Sequence, residues 1–274
     1  MTKTPPKRLL TLFCSEAKNT FKQRVIAIFK IGSLGSHGDF SACSDVDVAL
    51  ILDDIQPTDA DKIAKIAETI RQYDLPYADR LSIFWSSYQD FELGKGRFPA
   101  LDRLEFIKHG LLIQGKDLRQ TLEKPTSVNI NQESTQFIKE YLLTADKLNE
   151  LVAQPNHIAE KGARYFSKFI LFPVRLLYSI SNPNTIGSNK DATHYFLQQT
   201  DINDDLKKLV KFSYDTRNNN PYAAINTNNI TNYPKTIKAL YHLCLTAYLN
   251  KADIKDKTLL TNIEKYIELI KNSN

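Results

Sequence analysis

Two apolar segments, 25–31 and 46–52, bracket a run of small and polar residues that begins Gly32-Ser33-Leu34-Gly35-Ser36 and ends Ser44-Asp45-Val46-Asp47. No other stretch constrains the fold as strongly. Each apolar segment has the length and content of a buried strand. Successive strand side chains alternate faces, so Asp45 and Asp47 point one way while Val46, Val48 and Leu50 point the other. Two carboxylates side by side repel, and the arrangement becomes favourable with a divalent cation between them. Hard oxygen donors with room left for water and phosphate suit Mg²⁺. Gly32 and Gly35 allow a ligand to approach the backbone closely, and free N–H groups over Gly32, Ser33, Gly35 and Ser36 are suited to cradle phosphate oxygens. A metal site beside such a cradle implies a nucleoside triphosphate. A Gly-Ser turn alone is common and a lone Asp-x-Asp pair is usually a solvated strand edge. Their order, between two apolar segments, carries the specificity.

Gly32-Ser33, a short loop, then Ser44-Asp45-Val46-Asp47-Val48 resembles the signature of the polymerase-β-type nucleotidyltransferase superfamily, in the minimal form shared with antibiotic adenylyltransferases. The resemblance implies an α+β fold: a nucleotidyltransferase mixed sheet with helices, followed by an all-α helical bundle. It also implies two metal-binding aspartates and a third carboxylate from a later strand. Eleven residues separate Ser33 from Asp45, about one more than the pattern has, which bears on the loop rather than on the metal.

At 274 residues and 31.3 kDa the chain has room for two moderate domains. With 42% hydrophobic and 24% charged residues it has the composition of an ordinary soluble protein. Cys14, Cys43 and Cys244 are widely separated and lack metal-ligand spacing, so they read as reduced thiols of a cytoplasmic protein. The segment 9–14 is too short for a secretory signal, and the apolar run 169–180 is interrupted by Pro173 and Arg175, so neither a leader nor a membrane span is expected. Residues 1–133 carry 18 basic and 18 acidic side chains and 134–274 carry 18 and 13, which places the whole net charge of +5 in the second half. That excess favours an anionic partner such as a triphosphate or nucleic acid, and a solvated lysine-rich surface explains it almost as well.

Along the chain, 7–22 reads as an amphipathic helix and 25–31 and 46–52 as strands. A helix from Thr58 to about Gln72 follows, with a third strand over 79–85 and a helix or helix-strand pair over 101–112. This alternation suggests a sheet covered by helices on one face. After Lys124-Pro125-Thr126 the pattern becomes helical, at about 132–152, 158–181, 189–199, 203–215, 234–250 and 258–271, with Pro155, Pro183 and Gly187 as breaks and a polar Asn/Thr-rich loop over 218–232. The expected division is therefore a nucleotidyltransferase domain over 1–125 and a helical domain over 126–274 that closes on substrate and nucleotide.

Asp79 opens the expected third strand, where the resemblance puts the third carboxylate. There it would complete the metal set or take a proton from an attacking hydroxyl, or else it is only the ion-pair partner of Arg80. The Gly94-Lys95-Gly96-Arg97 stretch reads as a basic loop. Arg103 and His109, with five residues between them, loosely match the Arg…His spacing of helical ribonuclease toxins, a spacing that chance produces easily. Arg175 and the Ser188-Asn189-Lys190-Asp191-Ala192 run are similar to the arginine-led helix and Ser-Lys-Asp-Ala turn of streptomycin/spectinomycin adenylyltransferases, with Asn189 inserted. By that resemblance Arg175 and Lys190 would reach phosphates and Asp191 would face the acceptor, whereas on its own Asp191 reads as a helix cap.

Together these features point to Mg²⁺-dependent transfer of AMP from ATP to a hydroxyl, with Asp45, Asp47 and Asp79 as metal ligands and catalytic groups. The architecture implies an antibiotic-like small molecule as acceptor. The basic second half argues against a polycation and keeps a protein or nucleic-acid hydroxyl open as an alternative. A non-catalytic nucleotide-binding or antitoxin-like interaction protein is the reading from another class, and the intact aspartate pair argues against it.

Overall fold

The computed structural model describes residues 6–36, 38–93, 100–126, 138–182, 185, 187–251 and 257–273. The Gly94–Arg97 loop, Ile186, Pro183 and the first residues of the helix expected from 132 lie outside them. The chain divides into two compact units, one of Thr2–Phe40 with Ser44–Thr126, the other of Ser41–Cys43 with Ser127–Asn274.

In the first unit the order is α1 (Lys7–Phe21), β1 (Val25–Lys30), β2 (Val46–Leu52), α2 (Asp59–Arg71), β3 (Leu81–Ser87), α3 (Tyr88–Glu92), α4 (Ala100–His109) and β4 (Leu111–Gly115). The strands form one sheet in the order β3-β2-β1-β4. β1 is antiparallel to both neighbours and β2 is parallel to β3. Parallel neighbours need a long crossover, and α2 supplies it. Helices cover both faces of the sheet, not one. Val46, Val48, Leu50 and Leu52 pack with Leu9 and Phe13 of α1 and Ile63, Ile66 and Ile70 of α2. On the other face Ala27, Phe29, Ala49 and Ile51 meet Phe91 of α3 and Phe106 of α4. The Phe106 ring sits edge-on to Phe29 at 4.4 Å and to Phe91 at 4.8 Å. The apolar run Val48–Leu52 of β2 is what a strand buried on both sides requires.

α2 begins on a buried charge. Thr58 makes no side-chain cap. Asp59, fully buried, instead accepts from the Gln56 N–H at 2.8 Å and from the two terminal nitrogens of Arg24 at 2.5 and 3.1 Å. Its hydrogen bond from Arg24 holds the Asp59 carboxyl below the usual carboxylate range, and the same arginine lowers Asp54.

The helical unit contains a π-turn (Ile138–Leu142) and helices α5 (Ala145–Ala153), α6 (Pro155–Glu160), α7 (Ala163–Ser181), α8 (Asn189–Gln198), α9 (Asp204–Thr216), α10 (Tyr233–Lys251) and α11 (Lys257–Asn272). The single helix expected over 158–181 is therefore two. Gly162 has φ +100°, and a Cβ there would lie 2.8 Å from the Pro221 carbonyl. Behind it, the Ala163 and Arg164 N–H groups donate to the carbonyls of Ala223 and Pro221, both at 3.0 Å, so the polar loop caps a helix start that has no capping side chain.

α7 runs through Pro173, which has no N–H to offer the Phe169 carbonyl one turn back. The buried Tyr241 of α10 donates its hydroxyl to that carbonyl at 2.9 Å. Phe166, Ile170, Leu209, Ile237, Leu240, Leu245, Leu259 and Ile263 form the core of this unit. Cys14, Cys43 and Cys244 are buried and outside any disulfide, and burial pushes the thiols of Cys14 and Cys244 up. Among the described residues no helix is long and apolar enough to cross a membrane.

Candidate nucleotide-binding site

β1 leads directly into the Gly-Ser turn, and the Ile31 N–H donates to the Asp47 carbonyl at 3.1 Å, which ties the turn to β2. Gly32–Leu34 form one 3₁₀ turn. Gly32 has φ +59°, and a Cβ on it would lie 2.6 Å from Asp47 Oδ2. The aspartate carboxylate thus rests against bare backbone, in space that any side chain at position 32 would fill. Gly32→Ala should therefore displace the carboxylate and lower turnover by about 10²-fold. The same substitution should cost only about 1–2 kcal/mol of stability, the strain of a left-handed L-residue. Turnover measured beside a thermal melt checks both.

The rest of the turn is organised by the protein itself, which corrects the expectation of four free N–H donors. The Leu34 N–H donates to Ile31 at 3.2 Å, that of Gly35 to Gly32 at 2.9 Å, and that of Ser36 to the His109 carbonyl at 2.8 Å. Gly35 is needed for close approach of protein, since its Cβ would come within 2.6 Å of the His109 carbonyl. What remains is concentrated at the start of the turn. No backbone acceptor among the described residues takes the N–H of Gly32 or Ser33. The Ser33 hydroxyl is buried without a hydrogen-bond partner.

Asp45 and Asp47 are half-buried, Asp45 one residue ahead of β2 and Asp47 inside it. Asp47 lies on the face of Ala49 and Ile51, opposite Val46 and Val48. Two carboxylates on one face, one of them resting against bare glycine backbone, are hard oxygen donors of the kind that would hold a Mg²⁺ ion.

Asp79 is placed differently from the expectation. β3 starts at Leu81, because Tyr77 is left-handed (φ 71°) and Ala78–Arg80 form a 3₁₀ turn. In the parallel register Val46 pairs with Leu81 and Asp47 with Ser82, so Asp79 falls ahead of the strand at the sheet end that bears Asp45. Its side chain is 58% exposed and 3.7 Å from Arg80 Nε. Among the described residues, no three of His, Cys, Asp and Glu converge on a metal position.

Sequence reasoning treated Arg80 only as a partner of Asp79. Its side chain is 4% exposed, one terminal nitrogen donates to the Ser44 carbonyl at 3.2 Å, and its guanidinium lies 4.3 Å from the Tyr77 ring centre. Arg80 therefore fixes the backbone immediately before Asp45. Asp39 and Ser44, in the loop between turn and strand, are buried too. Strand periodicity carries no signal for any of these three.

In the helical unit, Arg175 Nε donates to the Gly187 carbonyl at 3.1 Å, and a Cβ on Gly187 would run into the Tyr178 ring. Ser188 and Asp191 form a capping box: the Asp191 N–H donates to Ser188 Oγ at 3.0 Å and the Ser188 N–H to Asp191 Oδ2 at 3.3 Å. Asp191 is thus the helix cap, while Lys190 is exposed. A polar cavity of about 460 Å³ lies elsewhere in this unit, lined by Asp146, Lys147, Glu150, His157, Lys161 and Tyr165 among others. Glu150 accepts from Lys161 and, at 2.5 Å, from the Tyr165 hydroxyl. Burial raises the Glu150 carboxyl, yet these two donors outweigh it and hold the group below the usual range.

No protein-family model and no curated protein matches the sequence. Among solved structures, the spectinomycin adenyltransferase AAD(9) from Enterococcus faecialis, determined with ATP and spectinomycin, superposes with a TM-score of 0.59 at 12% identity, covering 86% of this chain and 98% of that one. The chain shares the fold of that adenyltransferase. The likeness spans nearly all of the adenyltransferase chain, so it takes in sheet and helices alike.

Proposed function

We propose that this protein is a Mg²⁺-dependent nucleotidyltransferase that moves AMP from ATP to a hydroxyl of a small molecule. The observation that carries the reading is the contact of Gly32 with Asp47, which joins a turn holding unused donors to the carboxylate pair. The likeness to a structure solved with ATP and spectinomycin supports the choice of nucleotide and of a small acceptor.

Asp45 and Asp47 would hold Mg²⁺, which when bound offsets phosphate charge and orients the reacting oxygens. The Gly32 and Ser33 N–H groups and the Ser33 hydroxyl donate to the triphosphate. The acceptor hydroxyl attacks the α-phosphorus, pyrophosphate leaves in line, and Asp79 takes the hydroxyl proton. Thiols outside any disulfide fit the cytoplasm.

Pyrophosphate release with ATP and Mg²⁺ across a panel of small hydroxyl compounds, proteins and oligonucleotides tests the reading, with mass spectrometry locating the added AMP. Transfer to a small molecule is expected. Labelling confined to protein or nucleic acid replaces the acceptor class, and no release with any nucleotide overturns enzymatic function. For Asp79→Asn, turnover should fall by roughly 10²–10⁴-fold with nucleotide KM unchanged. A Mg²⁺ requirement that rises along with the loss makes Asp79 a metal ligand, and wild-type kinetics remove it from the site.

A further inference from the structure

We infer that His109 is a positioning residue for the triphosphate turn, acting through Ser36. This inference rests on the proposed nucleotide site. His109 is the last residue of α4, where helical carbonyls have no partner within the helix. Its carbonyl accepts the Ser36 N–H at 2.8 Å, and its ring nitrogen Nδ1 lies 2.9 Å from Ser36 Oγ. The same carbonyl is the surface that excludes a side chain from Gly35. One residue of a distant helix thus shapes two consecutive positions of the turn, holding the second by backbone and by side chain.

The side-chain bond has a direction that matters. A serine hydroxyl has one proton to give and two lone pairs to receive. When Nδ1–H donates to Ser36 Oγ, the serine proton is left to donate to a phosphate oxygen. When Nδ1 accepts, that proton is spent on the ring. Ser36 is exposed, so an arriving anion reaches its hydroxyl and selects the first arrangement. His109 then acts as a relay that turns the Ser36 hydroxyl outward, a role separate from the ribonuclease-like pairing with Arg103 that the sequence spacing loosely matched.

Four variants test this: His109→Ala, His109→Asn, Ser36→Ala and the double variant His109→Ala/Ser36→Ala, each read by ATP affinity in calorimetry, by KM and kcat, and by melting temperature. His109→Ala should raise the ATP dissociation constant and KM about five- to tenfold with kcat within twofold. His109→Asn, whose amide reaches the Nδ1 position, should restore affinity to within twofold of wild type. Ser36→Ala should match His109→Ala, and the double variant should be no worse, because both remove one interaction. Unchanged affinity in His109→Ala, failure of asparagine to rescue, or multiplicative losses in the double variant overturn the inference. Calorimetry keeps the two failures apart: normal ATP affinity in His109→Ala sinks the positioning role alone, whereas a wild-type protein that binds no ATP sinks the nucleotide site beneath it.

Discussion

Asp47→Asn is expected to lower nucleotidyl transfer by at least about 10²–10³-fold, the scale seen when one preorganised electrostatic group is removed from a reaction centre. The substitution conserves shape and removes charge, so far-ultraviolet circular dichroism should be unchanged. Asp45→Asn should behave alike, since it stands on the same face one position before β2. Asp47 is the sharper test, because its Oδ2 lies against Gly32 and so faces the Gly-Ser turn. Full activity in a folded Asp47→Asn protein ends the assignment.

The largest effect on stability should come from Asp59→Asn. It leaves Arg24 partly buried with one of its two carboxylate partners gone, a change that costs about 3 kcal/mol for a buried ion pair. For the sheet-bearing unit this corresponds to a fall of about 10 °C in melting temperature. The pH dependence has a definite sign. Asp59 titrates lower folded than unfolded, so its stabilisation is present above the ordinary carboxylate value and is lost as pH falls through the folded value. Wild type and variant should therefore differ fully at neutral pH and converge below about pH 4. A constant difference across that range would show that the loss is one of packing rather than charge.

The frame of the protein is legible in its sequence where one physical signal dominates. β2 occupies Val46–Leu52 because the apolar run Val48–Leu52, led in by Asp45 and Asp47 and stopped by Asp53 and Asp54, has few other uses. The stripe Ile63, Ile66, Ala67 and Ile70 likewise sets α2. Elsewhere the deciding partner is remote in sequence. Gly162 splits a helix because the backbone of Pro221 and Tyr222 crosses it. The Ser36 N–H is unavailable because His109 lies beside it, and Asp79 misses its strand because Tyr77 turns left-handed and Arg80 folds back on it. Asp45, Asp47 and the glycines are readable as a motif, but which donors of the turn are left for a ligand depends on contacts that no local pattern encodes.

Two of the buried thiols give this molecule an internal clock. Cys14 sits in the sheet-bearing unit and Cys244 in the helical one, each shielded and each with its thiol held protonated by burial. A thiol-alkylating reagent reaches either only when the surrounding structure opens. Mass-resolved labelling at Cys14 and Cys244 therefore reports, from one unmodified sample, how often each unit breathes.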